Sequence, residues 1–197
     1  MTDVVIIDSG GANLASLQFA LQRLGASSQV SSDAAAVGSA RRVLLPGVGA
    51  ASDAMRRLRE SGLTDTLSTL TQPLLGICLG MQLLYQHSEE GDTPCLGIIA
   101  GEVRRIPAAA GLPVPHMGWN TCQTLAADPL LKGINEDDYV YFVHSFAATP
   151  DAATLATVEY GQVLTAVTRR ANFWGVQFHP ERSARVGARL LQNFLVL

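Results

Sequence analysis

The run Pro73-Leu-Leu-Gly-Ile-Cys78-Leu-Gly80-Met-Gln82-Leu-Leu84 passes from a strand-like apolar tract to a helix-like pattern at a cysteine framed by glycines. A chain that changes from strand to helix so abruptly belongs to a sheet with helices packed on it, and the residue at the change is displayed on a tight turn. Gly76 and Gly80 relieve the crowding that a Cβ would cause there. The helix pattern from Leu79 to about His87 would aim unpaired backbone N–H groups at the sulfur, favouring the nucleophilic thiolate. A buried, inert cysteine explains the same few residues equally well.

A second segment moves the balance. Phe173-Trp-Gly-Val-Gln-Phe-His179-Pro180-Glu181 is an apolar strand pattern that ends in an imidazole and a carboxylate. Proline disfavours helical angles in the residue before it, so His179 should be extended. Side chains two apart on extended backbone share a face, which lets Glu181 bond one ring nitrogen while the other takes the thiol proton. Cys78, His179 and Glu181 then form a catalytic triad. A solvated histidine at a strand end is the ordinary alternative, and it weakens once an elbow cysteine is present.

The rest of the chain repeats the strand-then-helix theme. Val4–Ile7 is a β-branched run suited to a strand covered on both faces. Leu14, Leu17, Leu21 and Leu24 mark one helical face, with Gly25 as its stop. Arg42 to Gly49 reads as a strand ending in a glycine-rich turn, followed by a helix from about Ser52 to Glu60. Residues 94–115 read as loops and short hairpin-like strands. Tyr139–His144 is a strand, Thr154–Tyr160 and Gln162–Thr168 form a hairpin turning at Gly161, and a last amphipathic helix buries Val186, Leu190 and Phe194 beside an arginine stripe of Arg182, Arg185 and Arg189. The fold class is α/β: an open, mostly parallel sheet flanked by helices, with an additional mixed or antiparallel strand region. A single domain over residues 1–197 accounts for the length, with no repeat or linker. Sites in such sheets lie beyond the carboxyl ends of the strands, where the elbow, the Pro46-Gly-Val-Gly49 turn and the His-Pro-Glu segment should meet.

Composition narrows the function. No stretch approaches the ~20 apolar residues of a membrane span, and the first residues lack a signal-peptide pattern, so a cytoplasmic protein is expected. A net charge of −3 argues against a nucleic-acid-binding domain. Arg56, Arg57 and Arg59 read as a solvated helix face. Three cysteines, Cys78, Cys95 and Cys122, form neither a disulfide framework nor a metal-ligand spacing.

These residues resemble the class I glutamine amidotransferases, which carry a Gly-x-Cys-x-Gly elbow and a His-x-Glu near the end. Within that family the chain is similar to the glutaminase subunits of imidazole glycerol phosphate synthases. The resemblance rests on Asp8-Ser-Gly-Gly-Ala-Asn13-Leu14, Leu45-Pro-Gly-Val-Gly49, Gly76-Ile-Cys-Leu-Gly-Met-Gln82, His116-Met-Gly-Trp-Asn120, Tyr141-Phe-Val-His-Ser145 and Val176-Gln-Phe-His-Pro-Glu-Arg-Ser183, which span nearly the whole chain.

It implies a glutaminase reaction: Cys78 attacks the amide of L-glutamine, His179 protonates the departing ammonia, and water hydrolyses the glutamyl thioester. It places oxyanion donors at the N–H groups of Leu79 and, after a peptide flip, Val48. The amino-acid end of glutamine falls to Gln82 and the backbone around Gly49, Ser145 and Phe146. It implies no metal and no cofactor. The partner would be a (β/α)₈-barrel cyclase subunit in a heterodimer, faced by Asn13, Trp119 and Arg182, which receives the ammonia and makes imidazole glycerol phosphate and an aminoimidazole carboxamide ribonucleotide in histidine biosynthesis. The chain ends 197 − 181 = 16 residues after Glu181, so the acceptor site is expected on that separate subunit.

Without the resemblance, the Pro46–Gly49 turn would be a tight loop and Trp119 a core aromatic. His116 is expected to pack near the partner surface and His144 to be a strand histidine. Arg182 stands where relatives often carry lysine, Phe146 where tyrosine is frequent, and Ser9–Ala12 also differ. Other readings are the glutaminase subunit of an anthranilate, aminodeoxychorismate or pyridoxal phosphate synthase, a cysteine hydrolase, and a non-catalytic interaction module.

Overall fold

A computed structural model describes residues 2–9 and 14–197. The first half runs β1 (Val4–Ile7), α1 (Leu14–Arg23), β2 (Ser28–Ser31), α2 (Ala34–Gly38), β3 (Val43–Gly47), α3 (Ala51–Glu60), α4 (Leu63–Ser68), β4 (Leu74–Cys78) and α5 (Leu79–Gln82). The second half is strand-rich: β5 (His87–Ser88), β6 (Thr93–Pro94), β7 (Glu102–Arg105), β8 (His116–Thr121), β9 (Gln123–Thr124), β10 (Tyr139–His144), β11 (Phe146–Ala148), β12 (Thr154–Glu159), β13 (Val163–Arg170) and β14 (Phe173–Val176), closed by α6 (Ala184–Phe194).

The main sheet has the order β2-β1-β3-β4-β14-β13-β12-β9. Its first five strands are parallel and the rest antiparallel. β8 and β10 form an antiparallel pair, and β11, β7, β5 and β6 a small sheet.

The β-branched run of β1 works as its composition requires. Val4 and Ile6 enter one core with Leu17 and Leu21 of α1 and Leu190 and Phe194 of α6. Val5 and Ile7 enter the opposite core with Leu58 of α3 and Leu63 and Leu67 of α4. Alternate side chains of one strand thus feed two cores, each fully buried leucine contributing about 2 kcal/mol. Both cores are needed to hold β3, β4 and β14 in register, and the carboxyl ends of these three strands carry the site.

Several elements have no counterpart in the sequence reading, among them β2, α2, α4, β8, β9 and β11. The Asp33 side chain caps α2 by accepting from the Ala36 N–H at 2.7 Å, a local signal that a longer apolar period would have made visible. The helix after Cys78 stops at Gln82 instead of reaching His87, which lies in β5. The carbonyls of Leu83, Leu84 and Tyr85 accept from Leu96, Ile99 and Gly97, so a returning loop takes the bonds that would have extended the helix. Arg182 belongs to a 3₁₀ turn, Pro180–Arg182, and not to α6. Among the described residues no helix is long and apolar enough to cross a membrane.

Candidate active site

Cys78 is the last residue of β4 and stands at φ 54°, ψ −112°, in a region that residues with a Cβ rarely enter. The glycines around it have a steric task. A Cβ on Gly80 would lie 1.7 Å from the Leu45 carbonyl oxygen, so only glycine lets α5 lie directly against β3. The Cys78 thiol lies 3.8 Å from the Val143 carbonyl oxygen, and the Gln177 side-chain amide donates to the sulfur over 3.7 Å. Burial pushes the other two thiols up, Cys95 to about 11 and Cys122 to about 12, which leaves them protonated and inert.

His179 follows β14 with φ −99° and ψ 100°, extended as its proline requires. Its Nδ1 lies 2.9 Å from Glu181 Oε1; the imidazole is buried and the carboxylate mostly so. The carboxylate reaches the ring from the 3₁₀ turn begun by Pro180, a route different from the shared strand face expected from the spacing. Acceptance by Glu181 keeps a proton on Nδ1, so Nε2 is the nitrogen left to exchange a proton with the thiol and the leaving group. Nε2 is buried and makes no hydrogen bond of ordinary geometry to any described residue. Burial opposes the imidazolium, yet the adjacent Cys78 sulfur and the Glu181 carboxylate outweigh it and lift the ring to about 10. The ring thus holds its positive charge between the sulfur and the carboxylate.

A cavity of about 430 Å³ opens over these groups. Cys78, His179 and Glu181 all line it, together with Val48, Gly49 and Leu79 from the two strand-end turns and Gln82, Ser145 and Phe146 from the opposite wall. Every residue expected at the oxyanion and substrate positions therefore borders the same space. The Gln82 amide nitrogen is already engaged, donating to the Phe146 carbonyl at 2.8 Å and to Gln177 Oε1 at 3.0 Å, which leaves its oxygen for a ligand. Arg182 also lines the cavity, with its guanidinium 4.5 Å over the Tyr141 ring, and Tyr141 meets Trp119 edge to face at 5.8 Å. Trp119 is 52% exposed and so is no core aromatic. Asn13 lies outside the described residues.

Four contributors were not singled out from the sequence. Gln177, fully buried, links Gln82 to the sulfur; a lone polar residue within Phe173–Phe178 was its signal. Ser9 donates from its hydroxyl to the Pro46 carbonyl at 3.0 Å, tying the first strand to the oxyanion turn. Glu90 lines the cavity while its carboxylate accepts from the Ala51 N–H at 2.8 Å. Gly187 lets α6 press onto the triad turn, since a Cβ there would lie 1.8 Å from the Pro180 carbonyl oxygen. Ser9 and Glu90 act through contacts distant in sequence, and the packing of Gly187 on Pro180 is set by the fold of the intervening turn, so no local pattern announces any of them.

The family model described as glutamine amidotransferase class-I matches residues 5–197. The chain is 54% identical over 195 residues to the imidazole glycerol phosphate synthase subunit HisH of Xanthomonas euvesicatoria pv. vesicatoria, covering 99% of this chain and 98% of that protein. It is 52% identical, with the same coverage, to the subunit of that name from Xylella fastidiosa. A solved glutamine amidotransferase of Thermotoga maritima superimposes with a TM-score of 0.70 at 15% identity, over 98% of this chain and 95% of the other, a likeness of fold. With a nucleophile elbow, a histidine and a carboxylate meeting in one cavity, the chain belongs to the class I glutamine amidotransferases and, within them, to the HisH subunits of imidazole glycerol phosphate synthase.

Proposed function

We propose that residues 1–197 form one glutaminase domain, working in the cytoplasm, that hydrolyses L-glutamine at Cys78 and passes the ammonia to a cyclase subunit in a heterodimer. The observation that carries this reading is the convergence of Cys78, His179 and Glu181 on one cavity. The Cys78 thiolate attacks the side-chain amide carbon, and the N–H groups of Leu79 and Val48 receive the negative oxygen. The tetrahedral species collapses with the C–N bond breaking, and the His179 imidazolium gives its proton to the leaving ammonia. Neutral His179 then takes a proton from water as the hydroxide attacks the thioester, so that glutamate leaves and the thiol is restored. Glu181 holds the ring tautomer throughout. No step calls for a cofactor.

The amino-acid end lies against the Gly49, Ser145 and Phe146 backbone. Glu90 is the carboxylate in the cavity that is not committed to the histidine, so it takes the α-ammonium group. Trp119, edge to face with Tyr141, and Arg182, over the Tyr141 ring, form a contiguous group suited to anchoring the cyclase barrel.

The test is to mix the chain with that cyclase and assay turnover on glutamine and on ammonium salts. Glutamine-dependent turnover should appear, and Cys78→Ala should abolish it while ammonia-dependent turnover persists. An unchanged glutamine-dependent rate in Cys78→Ala would overturn the reading.

A further inference from the structure

The triad does not use His116 or His144, two buried imidazoles that face each other directly across β8 and β10. The proton position on each can be deduced from a single group. The Phe146 carbonyl can only accept, so His144 must carry its proton on Nδ1, 2.9 Å away, and Gln82 must present its amide nitrogen, 2.8 Å away. His144 Nε2 is then an acceptor, and His116 must donate to it from Nδ1 at 3.1 Å. His116 Nε2 is left to accept from the Asn120 amide at 3.4 Å, and the Asn120 side-chain oxygen accepts from the Thr121 N–H at 2.8 Å. Each donor meets an acceptor along the whole series, and one carbonyl dictates both tautomers.

The arrangement is rigid and uncharged. His116 is stacked between Tyr160, at 4.0 Å, and Phe142, at 4.8 Å between ring centroids. Burial lowers both imidazoles to about 4, so they stay neutral at working pH. Beyond the Phe146 carbonyl, the Gln82 amide continues to Gln177 and so to the Cys78 sulfur. The pair therefore ends on a peptide that lines the same cavity as the nucleophile.

We propose that His116 and His144 are positioning residues that hold the Ser145–Phe146 wall where the amino-acid end of glutamine must bind. Their action is on substrate affinity. His144 also lines the cavity, but the hydrogen bonds of the two rings go to each other, to Asn120 and to the Phe146 carbonyl, and not to Cys78, His179 or Glu181. The inference rests on the reading that this wall receives the amino-acid end of the substrate.

The experiment uses the assembled complex and the glutaminase assay. His144→Leu removes one of the two donors to the Phe146 carbonyl and leaves only Gln82, whereas His144→Asn places an amide N–H where Nδ1 stood. His144→Leu should raise the KM for glutamine about tenfold or more, the scale of one lost buried hydrogen bond, with kcat changed less than about threefold. His144→Asn should restore most of the affinity, and His116→Leu should behave like His144→Leu. If His144→Leu does not fold, His144→Gln replaces it, because its amide sits one carbon too far out, and the same rise is expected. A fall in kcat at unchanged KM, or an Asn variant as impaired as the Leu or Gln variant, would overturn the proposal. The wild-type complex is assayed in parallel on 4-aminobutanamide, which lacks the α-carboxylate of glutamine. Equal kcat/KM for the two substrates would overturn the pocket reading itself. Preference for glutamine in the wild type, with an unchanged KM in the variants, would overturn only the role of the histidines.

Discussion

Cys78 occupies a backbone conformation that suits glycine, and a cost of about 1–3 kcal/mol is typical for such positions. Glycine normally destabilises a folded chain relative to alanine. Here the order should invert, with Cys78→Gly more stable than Cys78→Ala by about 1 kcal/mol in denaturant unfolding, although neither variant hydrolyses glutamine. Equal stabilities would show that the elbow is not strained. The partner of the thiol makes a second prediction. The folded pKa of His179 is raised to about 10, above an unfolded value near 6.5, so its contribution to stability is complete below about pH 6.5 and is lost as pH rises through about 10. Ring-proton NMR should show its midpoint moving down in Cys78→Ala, where the sulfur no longer opposes the burial penalty. A midpoint that does not move would mean that the sulfur does not raise the ring's pKa.

α5 is a single turn, yet it decides where the sulfur stands, because Gly80 lets it rest on β3. α6 acts from behind: Gly187 receives the Pro180 carbonyl, and Ser183 accepts the Gly187 N–H at 3.0 Å and donates its hydroxyl to the His179 carbonyl at 2.7 Å. A methyl group at 187 must displace Pro180 and with it Glu181. Gly187→Ala should therefore lower kcat by about tenfold or more and cost roughly 1–3 kcal/mol of stability, measured by steady-state kinetics and thermal unfolding. These elements also show how far pattern reading reaches. The strands β1, β3, β4, β10 and the β12–β13 hairpin were legible because their apolar runs are bounded by turn residues, and α1, α3 and α6 because their faces repeat at helical spacing. α2 and α4 are too short for a period to register, and α5 was overextended because Leu83, Leu84 and Tyr85 continue its apolar run while bonding to a loop. The triad was readable since two local motifs carry it. Ser9 and Glu90 were not, because each acts on a residue far away in sequence, and Gly187 was not, because its close approach to Pro180 arises from the turn that folds α6 back on the triad segment.

The two cores on either face of the main sheet bring the strand ends at residues 47 and 78, and His179 just beyond β14, together around one cavity. Met117 and Trp119 project outward from β8, 66% and 52% exposed. Trp119→Ala should weaken binding of the cyclase subunit by about tenfold or more in calorimetry, as loss of an aromatic anchor does, while leaving the unfolding temperature of the isolated chain nearly unchanged. Binding of wild-type strength would move the interface elsewhere. The central claim is chemical, and covalent mapping addresses it most directly. The complex is mixed with glutamine, quenched in acid within the first turnovers, digested and sequenced by mass spectrometry. A glutamyl group should be found on Cys78 and should be absent from Cys95 and Cys122. A glutamyl group on either of those cysteines, or steady turnover with Cys78 never acylated, would contradict the account.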